Sequence, residues 1–488
     1  SIETQIKSWL RGGVNLSFTE SKQRVGVDDT SIMSALQQQP SVAPTSADGS
    51  YDGPDDVWMP DNALALAELI TNKNTRDNLR FNVFLDAAII KGLTFRTELS
   101  ADYNFNKYYY YKPDYKFGVR SSDIREGNWT KTDTKYFSWR NVLTFNRDFG
   151  VHNVNVMLGQ EISKNNWETQ YGATSGYLTN STPDLSAGDI TASTSTGYRN
   201  NNSIASFFGR AFYSFDNRYL LTATLRRDGS SKFAEGKKWG WFPAVALAWR
   251  VSQEDFLKDV RDVNNLKLRL GWGKTGNQNV RDWAYMAFLS SKTTPWGVGM
   301  LSGNTANPDL TWETTSSYNV GIDLGLLNNR IELVADVYYK KTDNLLLEVQ
   351  LPGYLGSLGH GAAANPWMNI GSLENKGIEL TLNTTNITNR DFQWTSNVVF
   401  SLNRNKVKSL DTATASIERT TSTVAGKSDI VTKTVVGQPI GQFWGYKVIG
   451  RFDKAEDFYY HDANGQLRQV AIPEGNTISS TSTWIGDY

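Results

Sequence analysis

Apolar and polar residues alternate with a period of two along most of this chain. In the run Leu93 to Phe105, Leu93, Phe95, Leu99, Ala101, Tyr103 and Phe105 share one face and Thr94, Arg96, Glu98, Ser100, Asp102 and Asn104 the other. Tyr318, Val320, Ile322, Leu324 and Leu326 likewise oppose Asn319, Gly321, Asp323 and Gly325, and Ile331, Leu333, Ala335, Val337 and Tyr339 oppose Glu332, Asp336 and Lys340. These runs span about 10 to 15 residues, longer than the usual soluble strand and enough for a tilted strand to cross a membrane. Aromatic residues collect at the ends of the apolar faces (Tyr103, Phe105, Trp241, Trp249, Trp272, Tyr318, Tyr339, Trp394), as interfacial girdles require.

Two kinds of connection separate the runs. Tight turns are read at Ile90 to Gly92, Arg147 to Gly150, Asp216 to Arg218, Leu327 to Asn329 and Thr388 to Asp391. Long polar loops fill the other gaps, at about 21–76, 107–131, 165–202, 277–310, 346–371 and 407–436. Sorting by parity predicts an up-and-down antiparallel barrel, all-β and transmembrane, with tight turns at one rim and extracellular loops at the other. No linker divides the chain, so residues 1–488 are read as one barrel segment. The pattern gives roughly thirteen strands, near 10–20, 77–89, 92–106, 132–147, 151–164, 203–216, 218–228, 239–251, 265–276, 311–326, 330–345, 372–387 and 392–406. Thirteen is odd where single-chain bacterial barrels are even, so the barrel is expected to be incomplete. The period breaks at Ser252 to Asn264, where Ser252 and Asp255 suggest a capped helix, and further helices are expected at Ser31 to Gln39 and Asn62 to Thr71.

Composition narrows the function. The 50 basic and 50 acidic side chains cancel, which leaves no footprint for nucleic acid. Cysteine is absent and there are three histidines, in separate segments, so disulfides, thiolate sites and a Ser-His triad are not expected. No run approaches the length of a transmembrane helix and mean hydropathy is −0.45, as alternating strands require.

Motifs that imitate known chemistry do not hold. Gly273-Lys274-Thr275 has Leu268 where a phosphate loop needs glycine, and Gly297-Val298-Gly299 lacks the third glycine. Asp48, Asp52, Asp55 and Asp56 offer hard carboxylates for Ca²⁺ without EF-hand spacing, and Asp-Gly turns explain them equally well. No carboxylate pair stands out for glycoside hydrolysis. Acids on the lumenal face read instead as partners of Arg and Lys in the barrel wall. The loop aromatics are the better binding candidates: Tyr108, Tyr109, Tyr110 and Tyr111 in one stretch, then Trp129, Trp283, Trp296 and Trp367, which can stack on sugar rings or peptide groups or pack the loops together.

Five stretches, in order, resemble the SusC/RagA family, the TonB-dependent outer-membrane transporters of Bacteroidetes. They are Leu225-Arg226-Arg227-Asp228-Gly229-Ser230-Ser231-Lys232-Phe233 with the strand from Trp241, Leu268 to Gln278, Asn307-Pro308-Asp309-Leu310-Thr311-Trp312-Glu313, Asn369 to Glu379, and Gly437 to Tyr446. The resemblance implies a 22-stranded barrel in outer-membrane lipid, closed by a plug and lidded by a SusD-like lipoprotein. It also implies import of a glycan or peptide driven by TonB-ExbB-ExbD, with no catalysis and no cofactor. The plug, the TonB box and the last strands are not found in this sequence. A second reading is a β-rich surface protein that binds or degrades glycans.

Overall fold

The computed structural model describes residues 1–25, 32, 35–38, 40–56, 59–349, 351, 363–410, 416–422, 428–445, 459–461, 464 and 466–469. Fourteen strands form one antiparallel sheet in chain order: β1 (Ile2–Lys7), β2 (Leu10–Arg24), β3 (Thr71–Ile90), β4 (Leu93–Lys112), β5 (Glu126–Phe149), β6 (His152–Ser175), β7 (Thr194–Phe215), β8 (Tyr219–Ser230), β9 (Trp239–Arg250), β10 (Val263–Asn277), β11 (Glu313–Leu326), β12 (Ile331–Asp343), β13 (Ser372–Thr388) and β14 (Gln393–Ser409). The chain divides into Ser1–Arg404, which holds this sheet up to Arg404 of β14, and Asn405–Tyr488. In the second unit Ser416–Ser422 pairs with Ser428–Val435, and buried Val407 exchanges backbone hydrogen bonds with Gln438 and Gly437.

The thirteen expected strands are all present, and a fourteenth precedes them. β1 was missed because it is short and turns into β2 through Ser8-Trp9, which carries none of the Gly, Asn or Pro punctuation that marks the other tight turns. The oddness of the strand count therefore carries no weight. The expected turns exist where backbone chemistry permits them: Gly92 and Gly150 take positive φ, and Asp216-Asn217 and Leu327-Asn328-Asn329 occupy the left-handed region.

One helix expectation changes. Instead of a capped helix, residues 251–262 contain only a 3₁₀ turn, Val251–Gln253. Glu254 governs this segment: its carboxylate accepts from Tyr219 Oη (2.7 Å), Trp249 Nε1 (2.8 Å) and Arg218 Nη1 (3.2 Å). Three tertiary bonds outweigh one local cap. Asp255 binds Lys258 (2.8 Å). The helix near residue 62 is real, as α1 (Ala63–Leu69), with the Asn62 side chain accepting from Ala65 N. Within the one expected at Ser31 to Gln39, the described residues 32 and 35–37 are helical, and 31, 33, 34 and 39 lie outside the described residues.

Strands are longer than the apolar pattern. β5 and β6 each run 24 residues, about 80 Å at roughly 3.3 Å per residue, far more than an apolar band of about 25 Å needs at a 35–45° tilt. They carry on past the lipid as an extramembrane wall. Tyr108–Tyr111 thus stand on β4, paired with β3 and β5, rather than in a free loop.

Register fixes two faces. On one, Leu158, Leu225, Leu270, Val320 and Val337 project outward, with Leu270 and Val320 52% and 56% exposed. A contiguous apolar surface of this extent is not sustained in water and requires lipid. On the other, side chains form ion-pair networks. Arg269 bonds Asp323 (2.8 Å) and Asp336 (2.9 Å), on the two strands beyond its own. It lies flat because Gly321 stands between them: a Cβ there would meet Asp336 Oδ1 at 2.5 Å and the guanidinium at 2.7 Å. Asp86 joins Arg11 (2.7 Å) and Arg96 (3.3 Å), and Glu98 joins Arg96 (3.1 Å) and Arg140 (3.0 Å). The wall of paired charges is as the sequence implied.

Leu270→Arg is expected to destabilise the folded protein in lipid vesicles by about 2–4 kcal/mol, measured by reversible denaturant unfolding. Ser317→Arg, on the opposite face, is expected to cost far less. Equal costs would contradict the assignment of faces.

Candidate functional site

A cavity of about 990 Å³ opens at the long-loop rim. Its back wall is strand: Trp167 of β6 and Tyr198 and Asn200 of β7 lie on the same face as the ion-pair networks, by the register Trp167↔Asn200 and Thr169↔Tyr198. Its front is the segment after β10, with Arg281, Asp282, Trp283, Met286 and Phe288. Asn304, Thr305, Asn365 and Trp367 close it.

Polar bonds hold this segment over the strands. The Trp283 indole donates to Asn200 Oδ1 (2.9 Å), and Asn202 Nδ2 donates to Asp282 Oδ1 (3.1 Å). Lys232 donates to the Val280 carbonyl (2.7 Å) and lies 3.6 Å from Asp282, whose side chain is 5% exposed. Buried Asn304 accepts from Phe288 N (2.9 Å) and donates to the Met286 carbonyl (2.8 Å), fixing the turn between them. Trp283 takes φ 61°, a left-handed conformation that costs a bulky residue on the order of 1 kcal/mol or more and persists only when its surroundings hold it. Here the Asn200 bond does so, and the ring remains partly exposed.

Beneath the cavity lies the apolar core of the loops: Phe233, Phe242, Val280, Ala284, Leu310, Trp312 and Leu346, with Trp367 against it. Phe233 and Phe242 rings meet Trp312 at 5.3 and 5.2 Å, and Trp312 Nε1 donates to the Lys238 carbonyl (2.8 Å). Asn307 donates to the Trp367 carbonyl, and Asn369 both accepts from and donates to the Thr311 backbone (2.7 and 2.8 Å). Three of the stretches that carry the family resemblance, ending at Phe233, spanning Asn307–Glu313 and opening at Asn369, therefore converge on one structural knot.

The aromatic candidates separate. Trp283 and Trp367 line the cavity. Trp296 is 94% exposed at the tip of the hairpin Leu289–Thr294 and Gly297–Ser302, away from it. Tyr108 and Tyr109 are consecutive on β4 and so face opposite sides. Tyr109 pairs edge-on with Trp129 (5.6 Å) on the outward side. Residues that the sequence did not single out complete the cavity: Trp167 and Tyr198 sat inside a stretch read as loop, and Asn304 in a polar run without a motif. Lys232 was visible only as part of a family stretch. Of the carboxylates considered for Ca²⁺, Asp48 accepts from Ser50 N and Oγ (2.9 and 2.6 Å), the bonds of an ordinary Asx turn, and Asp52 accepts from the N of the next residue, Gly53 (2.8 Å). Among the described residues no three His, Asp or Glu side chains gather as a metal site needs.

The outward cluster pins the β6–β7 loop. Tyr109 Oη donates to the Pro183 carbonyl (3.1 Å) and Tyr111 Oη to Asn180 (2.9 Å), Tyr111 packs edge-on against Tyr177 (5.3 Å), and Arg125 grips Asp114 through two bonds (2.8 and 2.9 Å). Burial pushes the Tyr109 phenol up to about 12. The folded value lies above the unfolded one of about 10, so this contribution to stability is complete below pH 10 and is lost as pH rises through about 12. The phenolate absorbance of the protein minus that of Tyr109→Phe should rise near pH 12; a rise near 10 would mean that the loop does not cover the ring.

A profile described as "TonB dependent receptor-like, beta-barrel" matches residues 20–484. TonB-dependent receptor SusC of Bacteroides thetaiotaomicron is 30% identical over 495 residues, covering 93% of this chain and 48% of SusC. TonB-dependent receptor P3 of Formosa agariphila is 33% identical over 429 residues, 86% of this chain and 42% of P3. The solved RagAB peptide transporter superposes with a TM-score of 0.76 at 21% identity, over 90% of this chain and 49% of the other, which establishes the fold. The chain spans about half the length of the curated relatives it matches. It belongs to the TonB-dependent receptor family and matches that family's β-barrel.

Proposed function

We propose that this chain forms the barrel of an outer-membrane importer that captures an oligomeric nutrient, glycan or peptide, at its extracellular rim. The cavity carries the reading: it opens on the lumenal side of the loop rim, its walls offer the aromatic faces of Trp167, Tyr198 and Trp283, and its polar groups are amides and paired charges. Such a lining suits ring faces or peptide planes studded with hydrogen-bonding groups. A volume of about 990 Å³ holds a short oligomer and not a single small ion. Two relatives bear on partners and cargo: SusC lends support to a SusD-like lipoprotein lid, and RagAB, a peptide transporter, to peptide as one cargo class. Energy would come from TonB-ExbB-ExbD, acting through regions of the relatives beyond the matched half. In this role no bond in the cargo is made or broken.

Trp283→Ala is expected to weaken nutrient capture by roughly 1–2 kcal/mol, about tenfold, from the loss of stacking and of buried ring area. Trp296→Ala is expected to leave it unchanged. Growth on limiting glycan or peptide as sole nutrient, with mass spectrometry of ligand and lipoprotein co-purified with the native complex, reads both. Unaltered capture by Trp283→Ala, or a native complex without any lid lipoprotein, would contradict the proposal.

A further inference from the structure

The outward face changes character abruptly at the long-loop edge of the apolar band. On β4, the outward series Tyr103, Phe105 is followed by Lys107. On β5, Trp139 and Phe137 lead to Lys135, and on β6, Ile162 leads to Lys164. Leu225 leads to Arg227 on β8 and Trp272 to Lys274 on β10. Tyr339 leads to Lys341 on β12 and Ile378 to Lys376 on β13. From β4 to β13 the outward position that follows the last apolar residue of the band is thus cationic on seven of ten strands, serine on β7 (Ser203) and β11 (Ser316), absent on β9, which ends in Trp241 and Trp239, and never acidic. β2 and β3 differ, with Glu20 and Asp77 there. At the opposite edge the terminal outward position is aromatic on four strands, Phe149, Phe215, Tyr219 and Trp249, and aliphatic on β4, β11 and β12, Leu93, Leu326 and Ile331.

Neutralisation within the protein accounts for only two of these cations, Lys107 and Lys341. The outward acids nearby have their own partners: Asp77 with Lys107 (3.6 Å), Asp133 with Lys131 (3.2 Å), Glu168 with Arg199 (3.0 Å), Asp343 with Lys341 (2.9 Å), while Glu374 takes the Tyr339 hydroxyl (3.4 Å). Among the described residues, Lys135, Lys164, Arg227, Lys274 and Lys376 have no carboxylate within 4 Å. Lys135 and Lys164 are diagonal cross-strand neighbours, about 7–8 Å apart at the backbone, an unfavourable like-charge juxtaposition that a shared anion would reverse. Arg227 is built in. Its guanidinium lies 4.7 Å from the Trp239 ring and 5.1 Å from Trp241, and its buried Nε has no hydrogen-bond partner. Trp239 reaches that place because Gly229 leaves room: a Cβ on residue 229 would meet its ring at 2.8 Å.

We propose that this collar binds the phosphate groups of lipid headgroups in the leaflet at the long-loop edge. Lys135 with Lys164 and Arg227 between its indoles form the principal sites, where the indoles sit at the acyl boundary and the cations reach one position further into the headgroups. The inference rests on the apolar band lying in a membrane, as proposed above, and not on what the barrel imports.

The intact protein, extracted from membranes, is titrated with bis-phosphorylated lipid A, with the same lipid stripped of its phosphates, and with phosphatidylcholine, counting bound lipid by native mass spectrometry. The native protein is expected to prefer the phosphorylated lipid. Combined Lys135→Gln, Lys164→Gln, Arg227→Gln and Lys274→Gln changes should weaken that binding by about fivefold per cation, more than a hundredfold together at low salt. Lysine-to-arginine changes at 135, 164 and 274 should retain it. Equal retention of phosphorylated and dephosphorylated lipid, undiminished binding by the glutamine set, or release of the lipid by millimolar inorganic phosphate would each overturn the collar. A protein that takes up no lipid and stays monodisperse without detergent would instead overturn the membrane reading beneath it.

Discussion

Everything in this molecule follows from one constraint: a backbone that crosses hydrocarbon must satisfy its own hydrogen bonds while every second side chain meets lipid. The antiparallel ladder from β1 to β14 answers the first demand and period-two alternation the second. Together they explain why Arg269 and Leu270, adjacent in the chain, live in opposite solvents. They also explain why the lumenal charges come in networks. A guanidinium shared between Asp323 and Asp336 locks three strands in register, at the cost of a glycine where Arg269 passes.

Above the lipid the same ladder serves another purpose. Strands of 24 residues continue as a wall outside the membrane, and the loops are organised against that wall by two knots of opposite placement. One, on the lumenal side, centres on Phe233, Leu310 and Trp312 and holds the cavity-forming segment at Trp283. The other, outward, centres on Tyr109, Trp129, Tyr111 and Tyr177 and holds the β6–β7 loop. A rigid strand wall with loops tied to it can present fixed aromatic faces, which capture of a nutrient from dilute solution demands.

The fold was legible because its signal is periodic: fourteen strands obey one rule, and thirteen could be read from it. The missing strand is short and its turn, Ser8-Trp9, is written without turn residues. The extent of the strands was less legible, since beyond the lipid both faces are polar or aromatic and the period disappears, which is why Tyr108–Tyr111 and Trp167 read as loop. The cavity was half legible. Trp283 and Trp367 stood out as loop tryptophans, but so did Trp296, and nothing local tells a ring that packs from one that waves in solvent. Asn200, Lys232 and Asn304 act through partners 83, 48 and 16 to 18 positions away, distances that no sequence window spans.

The two-faced sheet is tested most directly by spin labels. The chain has no cysteine, so single cysteines introduced from Ser317 to Asp323 on β11 can be labelled one at a time in lipid bilayers. Accessibility to oxygen dissolved in the bilayer is expected to peak at positions 318, 320 and 322, and accessibility to a water-soluble nickel reagent at 317, 319 and 323. Uniform accessibility along the strand, or the opposite phase, would contradict the account.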